Sequence, residues 1–364
     1  MGSPPYQTSF KVKDLSQTHC KQSVYNVLLV YKLGILPEFA KGFDMHATGI
    51  PVLNAEQTAE LLQKVDAKEV MRRVFTRLAA GQAIQPAQKV VLLPDGKGDF
   101  INYFGVDMSR NVLGVKISPY LVTPDKPIIT AWTLLMSVED GRPIMLCDAS
   151  LLTTERTAAT TALAVDLLAP ADAGILTVIG TGAVGRAHIR HTMTLRKWKE
   201  IRVWSRHNLL SASEISRELA LPEGLLTLSA DITEATRDAD VVMLCTSSAT
   251  PVLDPDTLSR PCLITSISTN APGAHEVPPA ALNTMDVYCD YRHTTPVSAG
   301  EMVLATQEHQ WSADRVLGDL PELVTGTCQK PLGTRHVFFR SLGLGLEDIA
   351  IAETLLTHFK QQEI

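Results

Sequence analysis

The stretch ILTVIGTGAVGRAHIRHTM, residues 175–193, constrains this chain more than any other. An apolar run ends at Gly180, and Gly182 and Gly185 complete a G-x-G-x-x-G register that leads directly into a helix-like segment. The first glycine permits a tight turn, the second lets a pyrophosphate come close to the backbone, and the third lets helix and strand approach each other. A helix N-terminus at that point offers unpaired N–H groups and partial positive charge to phosphate oxygens. Such a turn needs strands and helices in alternation around it. The runs ILTVIG, IRVWS, LLTLS, VVMLCTS, CLITSIS and MDVYCDY read as strands separated mostly by helical segments or turns, the pattern of a doubly wound parallel sheet.

Which dinucleotide is held depends on the end of the second strand. An NAD site usually carries Asp or Glu there for the ribose 2′-OH, whereas this chain reads RVWSRHN. A carboxylate would repel a 2′-phosphate, and Arg206 beside Ser205 can take one in charge-assisted hydrogen bonds. The sequence therefore favours NADP(H), with NAD(H) possible; the competing reading of Arg206 is a solvated surface charge. Thr246 and Ser247, after the fourth strand, either face the cofactor or close a turn with satisfied hydroxyls.

Upstream, Asn54 with Gln57 three residues on forms a capping-box pattern, and Leu61, Leu62, Val65, Val70, Val74 and Leu78 keep a helical stripe over one or two helices. Residues 88–150 change to short β-rich runs (KVVLLP, VLGVKISP, IITAWTLLMSV, PIMLCDAS) between Gly, Pro and Asp turns, predicting an antiparallel or mixed sheet. A long helix is expected over TTERTAATTALAVDLLA, and another over GLGLEDIAIAETLLTHF that packs back on the first domain. Residues 1–48 read as an extension with no assigned role.

Charge and composition exclude several functions. With 33 Lys and Arg against 39 Asp and Glu, a net charge of -6 gives no electrostatic reason to bind nucleic acid. No apolar stretch reaches the roughly 18 to 20 residues of a membrane span, and the N-terminus lacks a signal-peptide pattern, so a soluble cytoplasmic protein is expected. The six cysteines are dispersed, without C-x-x-C or zinc-like spacing, and those in apolar runs read as core thiols. No metal is expected. His188 and His191 stand three apart without a further ligand and read as surface or cofactor-adjacent polar groups, and nothing in the sequence brings His293 to Glu301, so structural roles are expected for that pair.

Four stretches together, LGVKISP, LLTTERTAATTALAVDLLA with VIGTGAVG, APGAHE, and FFRSLGLGLEDIAIAE, resemble the ornithine cyclodeaminase and mu-crystallin family. The resemblance implies an α/β architecture: a Rossmann doubly wound parallel sheet over 158–324, and an α+β substrate-binding and dimerisation domain from 49–157 with 325–364. It implies a homodimer acting on a small imino or amino acid, at a carbon that bears nitrogen beside a carboxylate. By the same resemblance Lys116 and Arg156 are catalytic and substrate-binding residues, and Gln88 stands where many members carry an arginine, with Lys89 following. A guanidinium suits a bidentate carboxylate clamp, and an ammonium can approach the reacting nitrogen. The competing readings are Arg156 paired with Glu155 or a helix neighbour, and Lys116 at a strand edge. Cofactor contacts are expected from Thr157, Gly180, Gly182, Ala183, Val184, Gly185, Ser205, Arg206, Thr246, Ser247 and Ser268.

Before the Pro-Gly break of APGAHE the cyclodeaminase branch has an aspartate, and this chain has Asn270. An amide cannot act as a base near neutral pH. Amine oxidation must first remove a proton from an ammonium, whereas a protonated imine already attracts hydride and needs orientation. Asn270, as a catalytic residue that orients nitrogen, thus favours NAD(P)H-dependent reduction of a cyclic 2-imino acid, Δ1-pyrroline-2-carboxylate or Δ1-piperideine-2-carboxylate, to proline or pipecolate. The alternatives are an ornithine or lysine cyclodeaminase, another amino-acid dehydrogenase, or an NADPH-binding protein without rapid turnover.

Overall fold

The computed structural model describes residues 49–206, 210–268 and 273–362, and the account below is of the compact unit that begins at Pro51. The extension 1–48 and Asn270 therefore lie outside the described residues. Two eight-stranded sheets are formed among them. The first contains β1 (Val52–Leu53), β2 (Ala83–Ile84), β3 (Lys89–Leu92), β4 (Gly98–Asp107), β5 (Val112–Leu121), β6 (Ile128–Ile129), β7 (Trp132–Ser137) and β8 (Pro143–Asp148). It is mixed, as the sequence predicts: β1 and β8 run parallel and the other pairs antiparallel, in the order β1-β8-β7-β5-β4-β2 with β3 on β4 and β6 on β5. The long strand β4 was not legible beforehand, because Asp99, Asn102 and Gly105 dilute its alternation.

Helices α1 (Ala55–Leu62) and α2 (Ala67–Ala79) share the predicted stripe but are separate. Asn54 and Gln57 make the reciprocal capping box at 2.9 and 3.0 Å, and Asp66 accepts the Glu69 N–H at 3.0 Å to start a second helix. Helix α3 (Ser150–Leu168) has little amphipathicity because it is surrounded: Leu152, Arg156, Ala159, Leu163 and Val165 are all buried. One apolar cluster runs from Leu53 and Met71 through Leu163 to Val178 and Phe339, so α3 is packed toward both sheets.

The second sheet is parallel throughout. In chain order it comprises β9 (Ile175–Ile179), α4 (Ala183–Thr192), β10 (Glu200–Trp204), α5 (Ala212–Glu218), β11 (Leu226–Leu228), α6 (Ile232–Thr236), β12 (Val241–Leu244), β13 (Leu263–Ser266), β14 (Asp286–Cys289), α7 (Gly300–Glu308), β15 (Val316–Asp319), α8 (Leu320–Thr325) and β16 (Val337–Arg340). Strand order is β11-β10-β9-β12-β13-β16-β14-β15, so the winding reverses between β9 and β12 and opens a crevice at their C-terminal ends. Helix α9 (Gly345–Gln362) then returns to the first sheet. The segment 325–364 thus serves both sheets, since β16 lies between β13 and β14. No described helix is long and apolar enough to cross a membrane.

Helix α9 lies close to β4 because side chains are missing at the contact. A Cβ on Gly345 would fall 2.4 Å from the Phe104 carbonyl oxygen, and one on Gly105 would fall 2.8 Å from Leu346 Cα. The obstructing atoms are backbone, which cannot move aside as a side-chain tip can. Gly345→Ala is therefore expected to destabilise the fold by about 1–3 kcal/mol, despite the higher helix propensity of alanine. Urea unfolding measures this, and wild-type stability in the variant would mean that α9 is not held against β4.

Candidate active site

The turn between β9 and α4 has the geometry that its glycines suggest. Gly180 has φ +120°, and a Cβ there would lie 2.5 Å from the Cys245 carbonyl oxygen; a Cβ on Gly185 would lie 2.1 Å from the carbonyl oxygen of Gly180. Gly182 is the N-cap of α4, without a side-chain cap, and a Cβ there would meet nothing within 4 Å. Open space thus faces the uncapped first turn of a helix, where phosphate binds well. The space is a cleft of about 650 Å³, lined by residues 180–184, Trp204, Ser205, Arg206, residues 245–248, Val252 and Ile267.

Of the expected cofactor contacts, Gly180, Gly182, Ala183, Val184, Ser205, Arg206, Thr246 and Ser247 line this cleft. Gly185 lies behind the turn, where it lets α4 approach β9. Ser268 follows Ile267, is 3% exposed, and its hydroxyl has no hydrogen-bond partner among the described residues. That hydroxyl, without a partner among the described residues, and the uncapped helix both fit a dinucleotide. Thr157 does not line the cleft, and its hydroxyl donates to Thr153 O within α3 at 2.7 Å. Arg206 is exposed.

Lys116 and Arg156 come together, though they lie on different elements. Lys116 on β5 stands opposite Tyr103 of β4 and Thr133 of β7, on the face that α9 covers. Its Nζ is 3.0 Å from each carboxylate oxygen of Asp348, 3.3 Å from Thr153 Oγ1, and 4.2 Å from the centre of the Tyr103 ring. Arg156 on α3 donates from Nε to Asp348 and from Nη1 to Glu347, both at 2.9 Å. Lys116 is 1% exposed and Arg156 4%. Asp348 thus bridges two buried cations, and Glu347 brings the cluster to two positive and two acidic groups. Glu155, the expected rival partner of Arg156, pairs instead with Arg190 and His191.

Burial shapes the protonation of this cluster. It draws Lys116 down to about 8, with Arg156 adding to the shift and Asp348 opposing it. It pushes Glu347 up to about 7 against the pull of Arg156. Burial works against the charge of Arg156 too, yet Asp348 and Glu347 hold it above its ordinary value. The site can therefore present a fixed cation to a carboxylate and a proton that moves near neutral pH.

Supporting residues that the sequence did not reveal fix this arrangement. Gly343, at φ +82°, passes so close to Arg156 that a Cβ would lie 2.3 Å from Nη1. Buried Asp290 holds that loop by accepting the N–H groups of Leu342 and Gly343 at 2.6 and 2.9 Å. Gln85 accepts the Leu346 N–H at 2.9 Å and so caps α9 one residue before Glu347. Gln88 is half-buried just before β3, whose first residue Lys89 is exposed opposite Asn102, so Gln88 stands beside the row containing Tyr103.

The remaining histidines and acids have other partners. His188 is neither at the surface nor in the cleft: it is fully buried and neutral because burial lowers it to about 4, with Nδ1 2.8 Å from Val184 O and Nε2 3.0 Å from Thr161 Oγ1, joining α4 to α3. Glu301 is buried 2.8 Å from Arg340 Nε, and His293 packs edge-on against Tyr291.

Comparison with known proteins bears on this geometry. The sequence profile of the ornithine cyclodeaminase/mu-crystallin family matches residues 51–363. An NAD(P)H-dependent anabolic L-arginine dehydrogenase of Pseudomonas aeruginosa is 52% identical over 309 residues, covering 85% of this chain and 97% of that protein. A Δ1-pyrroline-2-carboxylate reductase of Colwellia psychrerythraea is 24% identical over 84% of this chain and 98% of its own length. Among solved structures, the Thermococcus litoralis Δ1-pyrroline-2-carboxylate reductase in complex with NADH and L-proline superposes with a TM-score of 0.79 at 20% identity, over 86% of this chain and 99% of that one.

The proton on Glu347 has a measurable consequence. With its folded pKa raised to about 7 from 4.5, the folded protein holds a proton through that window that the unfolded chain has released. Its contribution to stability is full below the window and declines as pH rises through it. Glu347→Gln, neutral at every pH, is expected to flatten the slope of stability against pH in denaturant melts from pH 4.5 to 7; an unaltered slope would assign the proton to another group.

Proposed function

Because the chain belongs to the ornithine cyclodeaminase/mu-crystallin family, we propose that this NAD(P)H-dependent oxidoreductase is an amino-acid dehydrogenase whose substrate is L-arginine and the corresponding 2-imino acid. The observation that carries the reading is the buried Lys116–Asp348–Arg156 bridge at a site served by a glycine-rich dinucleotide cleft. The choice of L-arginine rests on the 52% identical dehydrogenase. It replaces the cyclic substrate expected from the sequence with an open-chain one, and keeps the same bond: C=N beside a carboxylate.

Gly180, Gly182, Ala183 and Val184 would hold NAD(P)H, with Ser205, Arg206 and Ser247 lining the same cleft and Ser268 beyond its wall at Ile267, and the bound cofactor would supply hydride to the imine carbon. Arg156 and Lys116 take the substrate carboxylate, with Gln88 on the far side of Tyr103 from Lys116. Buried away from water, these cations attract it more strongly than surface residues would. In the reducing direction the carbon of the protonated imine gains hydride, which leaves a neutral amine, and that amine takes one proton to become the ammonium, a proton that Lys116, near pKa 8, can give. Oxidation returns that proton to Lys116. Asn270 has no proton to exchange in this range and orients the nitrogen.

A second reading, reduction of a cyclic 2-imino acid, is favoured by Asn270 in place of an aspartate and by the Colwellia reductase. Preference for NADP(H) follows from Arg206 and the lack of an acid in RVWSRHN. We also propose a homodimer formed through the uncovered face of the first sheet, where Phe104, Ile117 and Trp132 are 43%, 44% and 39% exposed. Sedimentation should give a dimer that Ile117→Asp dissociates; a monomeric wild type sinks that assignment.

The deciding assay follows reduced-cofactor absorbance with the 2-oxo acid of arginine and ammonia, with Δ1-pyrroline-2-carboxylate in a parallel cell and ornithine with oxidised cofactor in a third. Fastest turnover is expected in the first, and faster with NADPH than NADH. Arg156→Ala should lower kcat/KM by about 100-fold, raising KM and lowering kcat as the substrate loses its alignment. Faster reduction of the pyrroline would select the second reading, and near-normal kcat/KM in the variant would refute the clamp.

A further inference from the structure

We propose that Glu276 is a positioning residue for the dinucleotide, its carboxylate holding the wall of the cleft after β12 in the shape that accepts the cofactor. The inference rests on the cofactor part of the reading above and is independent of which amino acid is turned over. Glu276 is 0% exposed. Its Oε1 accepts both the N–H and the hydroxyl of Thr246, at 2.9 and 2.7 Å, and its Oε2 accepts the hydroxyl of Ser266 at 2.7 Å. Its main-chain carbonyl accepts the N–H groups of Val252 and Leu253 at 2.8 and 3.2 Å. Both ends of the loop 245–253 therefore depend on one residue, and that loop supplies Cys245, Thr246, Ser247, Ser248 and Val252 to the cleft.

The chemistry of the group matters as well as its position. A carboxylate only accepts, so it compels the hydroxyls of Thr246 and Ser266 to donate inward. The lone pairs of Thr246 are left for another donor, and Ser248 N–H takes that place at 3.1 Å. Order thus passes from Glu276 through Thr246 to Ser248. Burial pushes the Glu276 carboxyl up, while the bonds from Thr246 and Ser266 and the nearby Arg340 pull it down. Joining the ends of β12 and β13 could be done by an apolar side chain at lower cost than a buried carboxylate. The three donors, two of them from a residue that lines the cleft, give the carboxylate a use that packing alone does not.

The test is equilibrium titration with NADPH, followed by its fluorescence, alongside melting of the cofactor-free protein. Glu276→Met fills a similar volume and accepts nothing, and Thr246→Val removes the hydroxyl donor from the other side. Glu276→Met is expected to weaken NADPH binding by about tenfold or more, Thr246→Val by a smaller factor, and the double variant no further than Glu276→Met, because the two residues act as one unit. Wild-type affinity in Glu276→Met, or a double variant whose loss is the product of the two single losses, overturns the proposal. Should Glu276→Met fail to fold, the same cycle is read with Glu276→Gln, whose single oxygen still accepts from Thr246; its loss should be under about threefold and should vanish in the Thr246→Val background. A loss that persists there counts against the assignment. Failure of NADPH to bind the wild type would instead refute the cofactor reading.

Discussion

Two cations cannot be buried side by side without an acid between them, and Asp348 is that acid. Lys116 arrives on a strand, Arg156 on a helix more than thirty residues later, and Asp348 reaches both from a helix near the chain's end. Removing one member of such a buried set commonly costs about 3–5 kcal/mol, because the remaining charges are left uncompensated. Much of the surrounding structure serves to bring that carboxylate down. Gly345 and Gly105 let α9 lie on the backbone of β4, Gln85 caps its first turn, and Asp290 holds the preceding loop against Arg156.

The same requirement shapes helix α3. Helix α3 must present Arg156 to the first sheet while its other faces are covered by the second layer, which accounts for its small and apolar residues all round. The cofactor cleft forms at the reversal of strand order between β9 and β12, a consequence of connectivity alone. The buried cation cluster and the glycine-rich cleft thus come from separate sheets, and α3 is packed toward both.

Local signals made part of this legible in the sequence. The turn at Gly180 announces itself because three glycines at fixed spacing have few other uses, and the Asn54 cap because its partner is three residues away. Strands β15 and β16 were hidden because each has four residues and no alternation to read. Glu347 and Asp348 look in sequence like ordinary acids in the first turn of a helix, where the dipole favours them. Their partners lie about two hundred residues away in the chain, and no local pattern encodes such pairing. Glu276 is a lone acid beyond a Pro-Gly break, and only its three donors give it meaning. Residue types and family likeness singled out Lys116 and Arg156 as candidates; the carboxylates that hold them had to be seen in three dimensions.

The link from His188 to Thr161 sits on the same helix as Arg156. Five residues of α-helix span about 7.5 Å, so α3 acts as a ruler between the buried Lys116–Asp348–Arg156 cluster and the helix that begins at the glycine-rich turn. A ruler of that kind separates two problems. Side chains on β3 and β4 can be exchanged while the spacing from the buried cations to that turn stays constant. A single scaffold can then diversify in what it recognises without having to rediscover how to react with it.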